Sequence, residues 1–243
     1  MKILVVNVNT TESMTASIAS QARAAASPGT EIVGLTPEFG AESVEGNFES
    51  YLAAIAVMDR VITYDGEYDA VIQAGFGEHG KEGLQELLDV PVLDITEAAA
   101  HVASMLGRKF SVVTSLDRTV PLIEERLLVA GLNAHCASVR ASGLGVLDVE
   151  RSKDRAVAAI VEQAVRAIQE DHAEVIVLGC GGMAGLDVAV REATTAPVVD
   201  GVASAVQLAE SLVALSLTTS KLRTYASPGA KRVLSWPLSE HLS

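Results

Sequence analysis

Two glycine-rich turns carry the residue types from which chemistry could be built. The first is Gly179-Cys180-Gly181-Gly182, which closes the apolar run Glu174–Leu178 (EVIVL). The second is Gly75-Phe76-Gly77-Glu78-His79-Gly80, which closes Tyr68–Ala74 (YDAVIQA). A buried strand emptying into glycines at a helix start is where open α/β sheets bind ligands. Glycines let backbone N–H groups approach an anion, and the following helix N-terminus favours negative charge. That environment lowers a thiol pKa, so Cys180 is expected to be a reactive thiolate; the plainer alternative is a small buried cysteine beside a turn. His79 titrates near neutrality and suits proton transfer, or else it caps the next helix. Glu78 is either a proton-transfer partner or a solvated carboxylate at a helix start.

The rest of the chain must position these turns. Its 243 residues are 49% hydrophobic and 4% aromatic, a composition suited to parallel α/β packing. Two cysteines, Cys136 and Cys180, make no disulfide framework. The net charge of −13 argues against nucleic-acid binding. No apolar run has the length of a membrane span and no signal peptide opens the chain, so a cytoplasmic protein with no membrane partner is expected.

Apolar runs and turn signals predict strands at Lys2–Asn7, Glu31–Leu35, Tyr68–Ala74 and Pro91–Ile95 in the first half. Helices are predicted from Asn9–Glu12 to about Ala26, over Phe48–Thr63, Lys81–Leu88 and Thr96–Leu106, with Pro37–Asn47 a loop. The second half repeats this, with strands at Lys109–Thr114, Ala134–Val139, Glu174–Leu178 and Pro197–Asp200. Helices follow at Val120–Ala130, Ser152–Asp171, from Met183 through Glu192, and at Val202–Leu217, with Gly143–Val149 a loop and an aperiodic, loosely packed tail from Thr218. KILVVN lies against KFSVVT, GFGEHG against CGGMAG and PVLD against PVVD, at offsets of 105–107 residues. The chain therefore reads as a duplicated, mostly parallel four-strand α/β unit: two Rossmann-like halves related by a pseudo-two-fold. The first half spans residues 1–98 and the second 99–201, with 202–243 packing back on the first half. Facing halves would bring the Gly75 and Cys180 turns together across a cleft.

VNVNTTESMT, GFGEHG, FSVVTSLDRT, VLGCGGM, PVVDGV and AESLVALSLTTSK resemble the aspartate/glutamate/hydantoin racemase superfamily, its hydantoin and allantoin racemase branch most of all. The resemblance implies an enzyme that racemises a small-molecule carbon acid without a cofactor or metal, and a homo-oligomer. It also implies two cysteines flanking the α-carbon, one removing its proton as thiolate and one returning a proton to the opposite face. The second aligns with Cys180; the first aligns with Gly75, leaving His79, Glu78 or water for that face. Arylmalonate decarboxylases of the same superfamily also pair one cysteine with glycine, so a one-base lyase or isomerase is the competing reading. A non-catalytic small-molecule binder is the third. Superfamily positions that hold substrate fall on Asn9, Thr10, Glu45, Phe76, Gly77, Thr114, Ser115, Arg118, Gly181 and Gly182; capping or surface roles are the alternative for the polar ones. Cys136, in the middle of a predicted strand, reads as a core residue. Asp94 and Asp200 match one another as helix caps or catalysts. Zinc-type spacing, a Walker loop and a complete dinucleotide fingerprint are missing from the sequence.

Overall fold

A computed structural model of the chain describes residues 1–232. Its first half runs β1 (Lys2–Val6), α1 (Glu12–Ala25), β2 (Glu31–Leu35), α2 (Asn47–Ile62), β3 (Ala70–Gln73), α3 (Lys81–Leu87), β4 (Val92–Asp94) and α4 (Ile95–Leu106). The second runs β5 (Phe110–Thr114), α5 (Val120–Val129), β6 (Cys136–Ala141), α6 (Val146–Arg151), α7 (Lys153–Glu170), β7 (Val175–Leu178), α8 (Asp187–Thr194), β8 (Val198–Asp200) and α9 (Gly201–Ala214). The strands form two separate four-stranded sheets in the orders β2-β1-β3-β4 and β6-β5-β7-β8, with every pairing parallel. The repeated strand order is the duplication expected from the sequence.

The apolar strands are continuous runs because helices cover both faces of each sheet. Alternate residues serve opposite cores: Ile3 and Val5 pack with α1, α4 and α9, whereas Leu4 and Val6 pack with α2 and α3. The alanine-rich α4 lies between the two halves. Its Ile95 and Ala98 join the first-half core, and its Ala99, Ala100 and Ala103 join Phe110, Val112 and Val177 of the second sheet. Small side chains on both faces let it sit that close to each.

Several elements differ from the sequence reading. The expected loop Gly143–Val149 contains the start of α6, a short helix that the two flanking glycines disguised. The expected helix from Met183 is instead a 3-10 turn at Gly181–Met183, then Gly185 at φ +81°, and α8 starts only at Asp187. Strand β6 lies two residues later than expected, so Cys136 is its first residue and is only partly buried. The tail is anchored at two points, where Thr219 Oγ1 donates to the Val90 carbonyl and Lys221 Nζ to those of Gln85 and Glu86. The rest of that expectation, residues 233–243, lies outside the described residues. No helix among the described residues is long and apolar enough to cross a membrane.

Helix α9 is fastened to the first half by Glu210, 7% exposed, whose carboxylate accepts from Ser27 N (2.8 Å), Ser27 Oγ (2.7 Å) and Thr30 Oγ1 (2.6 Å). Burial alone would raise its pKa, but the Thr30 and Ser27 donors outweigh burial and lower it. Glu210→Ala is expected to cost about 2–3 kcal/mol in urea denaturation at neutral pH, as lost hydrogen bonds to a charged group do. Because the folded pKa lies below the unfolded value, this contribution is complete above the usual carboxylate range and shrinks as pH falls through the lowered pKa. The gap between wild type and variant should therefore narrow in acid; a gap independent of pH would mean the charged form is not what is bonded.

Candidate active site

The carboxyl ends of β3 and β7 point their glycine turns at each other. A Cβ at Gly181 would lie 2.5 Å from the Ala74 carbonyl oxygen, so the second-half turn touches the first-half strand end and only glycine permits the approach. Between the turns is a cavity of about 40 Å³. Cys180, Gly181 and Gly182 line one wall; Gly75, Phe76 and His79 line the other. Asn9, Thr114 and Ser115 complete it, as the sequence suggested, joined by residues it did not single out, including Asn7, Met14 and Thr119.

Local structure fixes each of these side chains. Asn7 Nδ2 donates to Asn9 Oδ1 (2.9 Å), and that oxygen also accepts from Thr11 N (3.0 Å), closing the β1–α1 turn. Thr114 Oγ1 donates to the Gly179 carbonyl (3.0 Å), tying the ends of β5 and β7. Cys180 is extended, and its Sγ accepts from Gly182 N at 3.4 Å. Burial nonetheless dominates: it pushes the Cys180 thiol up, against the N–H groups of Gly182 and Met183 that pull it down, while the Glu45 charge adds to the rise. Burial therefore works against the resting thiolate that the turn favours, because a cavity this small solvates an anion poorly. Cys136 is also raised by burial, to about 11.

His79 is 5% exposed, and burial lowers its pKa to about 4 against the pull of Asp94 and the Phe76 backbone. It is therefore a neutral imidazole, not the near-neutral titrator its residue type suggested, and its Nδ1 has no hydrogen-bond partner. Its ring occupies the space beside Gly75. A Cβ there would collide with His79 Cδ2 and lie 2.5 Å from Val8 Cγ1 and 2.7 Å from Gln73 Nε2.

A second, outer cavity of about 370 Å³ adjoins the first, sharing Val44, Phe76, His79 and Thr119 with it. Glu45, Gly77, Glu78, Glu82, Glu125 and Arg126 are among its lining. Glu45 Oε1 accepts from Val146 N (2.9 Å), so the long first-half loop is latched to the start of α6. Glu78 is raised to about 8 by burial and by its neighbour Glu82, which holds the charge of that pair through Arg126. Asp94 caps α4 through Thr96 N (2.7 Å) and Glu97 N (2.8 Å), and Asp200 caps α9 while accepting from Gly185 N (2.9 Å); neither lines a cavity.

Two expected site residues lie elsewhere. Thr10 spends its N–H and hydroxyl on the Ala41 carbonyl, fastening the long loop, and lines neither cavity. Arg118 is exposed and lies flat against Gly46. Arg126 was missed, although one signal pointed to it: it falls on the apolar stripe Ile123-Arg126-Leu127 of α5, where a cation must be paired. Among the described residues, no group of His, Cys, Asp and Glu could hold a metal ion.

A family model described as Asp/Glu/Hydantoin racemase matches residues 3–209. A hydantoin racemase of Pseudomonas sp. (strain NS671) is 38% identical over 232 residues, covering 95% of this chain and 93% of that protein. The crystal structure of an allantoin racemase from Pseudomonas fluorescens superposes with a TM-score of 0.95 at 71% identity, covering 97% of this chain and 100% of that one. An allantoin racemase from Klebsiella pneumoniae superposes with a TM-score of 0.95 at 39% identity, covering 99% and 98%.

The raised Cys180 pKa gives a direct test. Labelling of Cys180 by a small alkylating agent should keep accelerating as pH rises past the ordinary thiol value of about 8.5. Cys136, raised to about 11, should likewise accelerate well past that value. A Cys180 rate already level by neutral pH would show that the turn N–H groups outweigh burial.

Proposed function

The chain belongs to the Asp/Glu/hydantoin racemase family, and from that premise we propose that it racemises an uncharged, five-membered carbon acid of the hydantoin or allantoin type without a cofactor. The observation that carries this reading is the inner cavity, whose lining brings together the Cys180 thiol and the His79 imidazole. A proton α to a ring amide carbonyl is acidic enough for such groups, and the turn N–H groups stabilise the enolate as it forms. No lysine or arginine lines the inner cavity, so a carboxylate-bearing carbon acid would meet no counter-ion there. An uncharged ring needs none.

The resting protonation states set the order of events. A neutral His79 is a base, and a protonated Cys180 is an acid. His79 removes the α-proton of one enantiomer and becomes imidazolium, while Cys180 delivers its proton to the opposite face and becomes thiolate. A proton passed from imidazolium to thiolate, through solvent, resets the site. The reverse direction starts from the thiolate–imidazolium state, which burial disfavours for both groups. The two directions therefore differ in kcat and in KM, while the equal free energies of the enantiomers keep kcat/KM the same for both.

Gly75 supports a second reading. If the wall of Gly75, where the resemblance would put a first cysteine, supplies no proton, Cys180 acts alone and exchanges or protonates one face, as a one-base lyase or isomerase would.

Incubating each enantiomer of allantoin, or of a 5-substituted hydantoin, in D₂O separates the two. Racemisation is expected to show deuterium in the inverted product, absent in Cys180→Ala. His79→Ala should lower inversion more than about tenfold, since a positioned acid–base group contributes about 10²–10⁴-fold. Exchange confined to one enantiomer with no inversion, or release of CO₂ from a related acid, would replace the racemase reading with the one-base reading. Gly75→Cys should not restore a second cysteine base: with Val8, Gln73 and His79 against the new Cβ, the variant should lose stability by about 1–3 kcal/mol in denaturant titration. A stable Gly75→Cys protein with faster inversion would refute that steric account.

A further inference from the structure

The inner cavity, at about 40 Å³, has room for about three water molecules. A substituted hydantoin ring is larger, so a wall has to move before one can enter. Most of the lining is held too firmly for that. Gly181 already sits against the Ala74 carbonyl, and Thr114 ties the ends of β5 and β7 together. Val44 is different. It lines both the inner and the outer cavity, and so forms part of the partition between them.

The segment that carries Val44 is fixed to the first half at its two ends. Thr11 Oγ1 donates to the Glu42 carbonyl (2.7 Å), and Ser50 N donates to the Gly46 carbonyl (2.9 Å) in the first turn of α2. Between those ends, residues 43–45 make one hydrogen bond among the described residues: Glu45 Oε1 accepts from Val146 N (2.9 Å). Val146 belongs to the second half, begins α6 and itself lines the inner cavity. One bond between the halves therefore holds Val44 and Val146 together at the cavity edge. A single hydrogen bond to a charged acceptor is strong enough to favour closure and weak enough to open during turnover.

Relying on the racemase reading for what enters, we propose that residues 43–45 are a strap that lifts to admit substrate, and that Glu45 is the positioning residue whose bond to Val146 N holds it shut. Lifting the strap takes Val44 out of the partition and joins the two cavities. Substrate then reaches Cys180 through the outer one, of about 370 Å³. Closure keeps bulk water from the enolate, which would otherwise take its proton from solvent without regard to face. In the closed position the Glu45 charge also adds to the rise of the Cys180 thiol. Charge and closure are therefore separate effects of one side chain, and a substitution can remove the first while keeping the second.

Two thiolate-directed reagents of different size test this, methyl methanethiosulfonate and N-benzylmaleimide, with labelling at each cysteine followed by peptide mass spectrometry. At one pH, the ratio of the bulky to the small reagent's rate at Cys180 cancels the fraction of thiolate and reports access. The same ratio at Cys136, which starts β6 and lines neither cavity, corrects for general loosening. Glu45→Ala should raise the corrected Cys180 ratio by about tenfold, as the loss of a hydrogen bond to a charged acceptor allows. Glu45→Gln removes the charge and keeps an oxygen that accepts from Val146 N, and should raise it by about threefold or less. An unchanged ratio in Glu45→Ala, or an equal rise in both variants or at both cysteines, would overturn the strap. Deuterium exchange at the hydantoin ring carbon decides the racemase reading separately. Without exchange that reading falls while the labelling ratios still decide the strap, and with exchange but flat ratios the strap alone falls.

Discussion

A carboxylate with no solvent exposure, Asp94, is the constraint on which the first-half wall of the cleft depends. Removed from water, it must be paired and hydrogen-bonded on every side. It is bonded to the first turn of α4, to Lys81 at the start of α3 (3.4 Å) and to Arg126 on α5 (2.9 Å). Those three helices surround the turn Gly75–Gly80, so satisfying one charge fixes the position of the turn. Gly77 N is held in turn by Thr96 Oγ1 (2.8 Å), the residue whose own N–H Asp94 caps. Removing Arg126 would leave the buried anion with Lys81 as its only cation. The same arginine is therefore a brace between halves and the floor of the outer cavity.

The second half solves the corresponding problem without cations. Asp200 caps α9 and takes Gly185 N directly, and burial raises its pKa because no arginine or lysine is paired with it. The duplication thus preserved the cap and diverged in what neutralises it. That divergence matters for chemistry. The inner cavity sits between a cation-braced turn and an unbraced one, and burial is the largest influence on both titratable groups that line it, outweighing Asp94 at His79 and adding to Glu45 at Cys180.

Much of this was legible in the sequence for specific reasons. Strands buried on both faces appear as unbroken apolar runs, and the PVLD and PVVD matches recorded a cap needed twice. Glycine spacing located both turns because close backbone approach excludes any other residue, as Gly181 against Ala74 shows. What could not be read depends on depth. The pKa directions of Cys180 and His79 follow from how little water reaches them, and residue type and local spacing say nothing of that. Helix α6 was hidden because Gly143 and Gly145 are turn signals whether or not a helix follows. The crowding at Gly75 depends in part on Val8, which neighbours it only after β1 and β3 pair.

The two cavities are built from different parts of the fold. The inner one is built from strand ends and glycine turns, where a Cβ in the wrong place meets backbone, so its shape tolerates little change. The outer one is built from α2, α5 and the loop latched by Glu45, whose side chains project from solvent-facing helices: Tyr51 and Val129 are largely exposed. Substitutions there alter charge and volume without moving a strand end. The shapes of the two cavities are thus held by different elements, and the outer one can vary while the inner one stays fixed. Arg126 is the exception, since it lines the outer cavity while its terminal nitrogens bind the Asp94 and Glu97 carboxylates of the first-half frame.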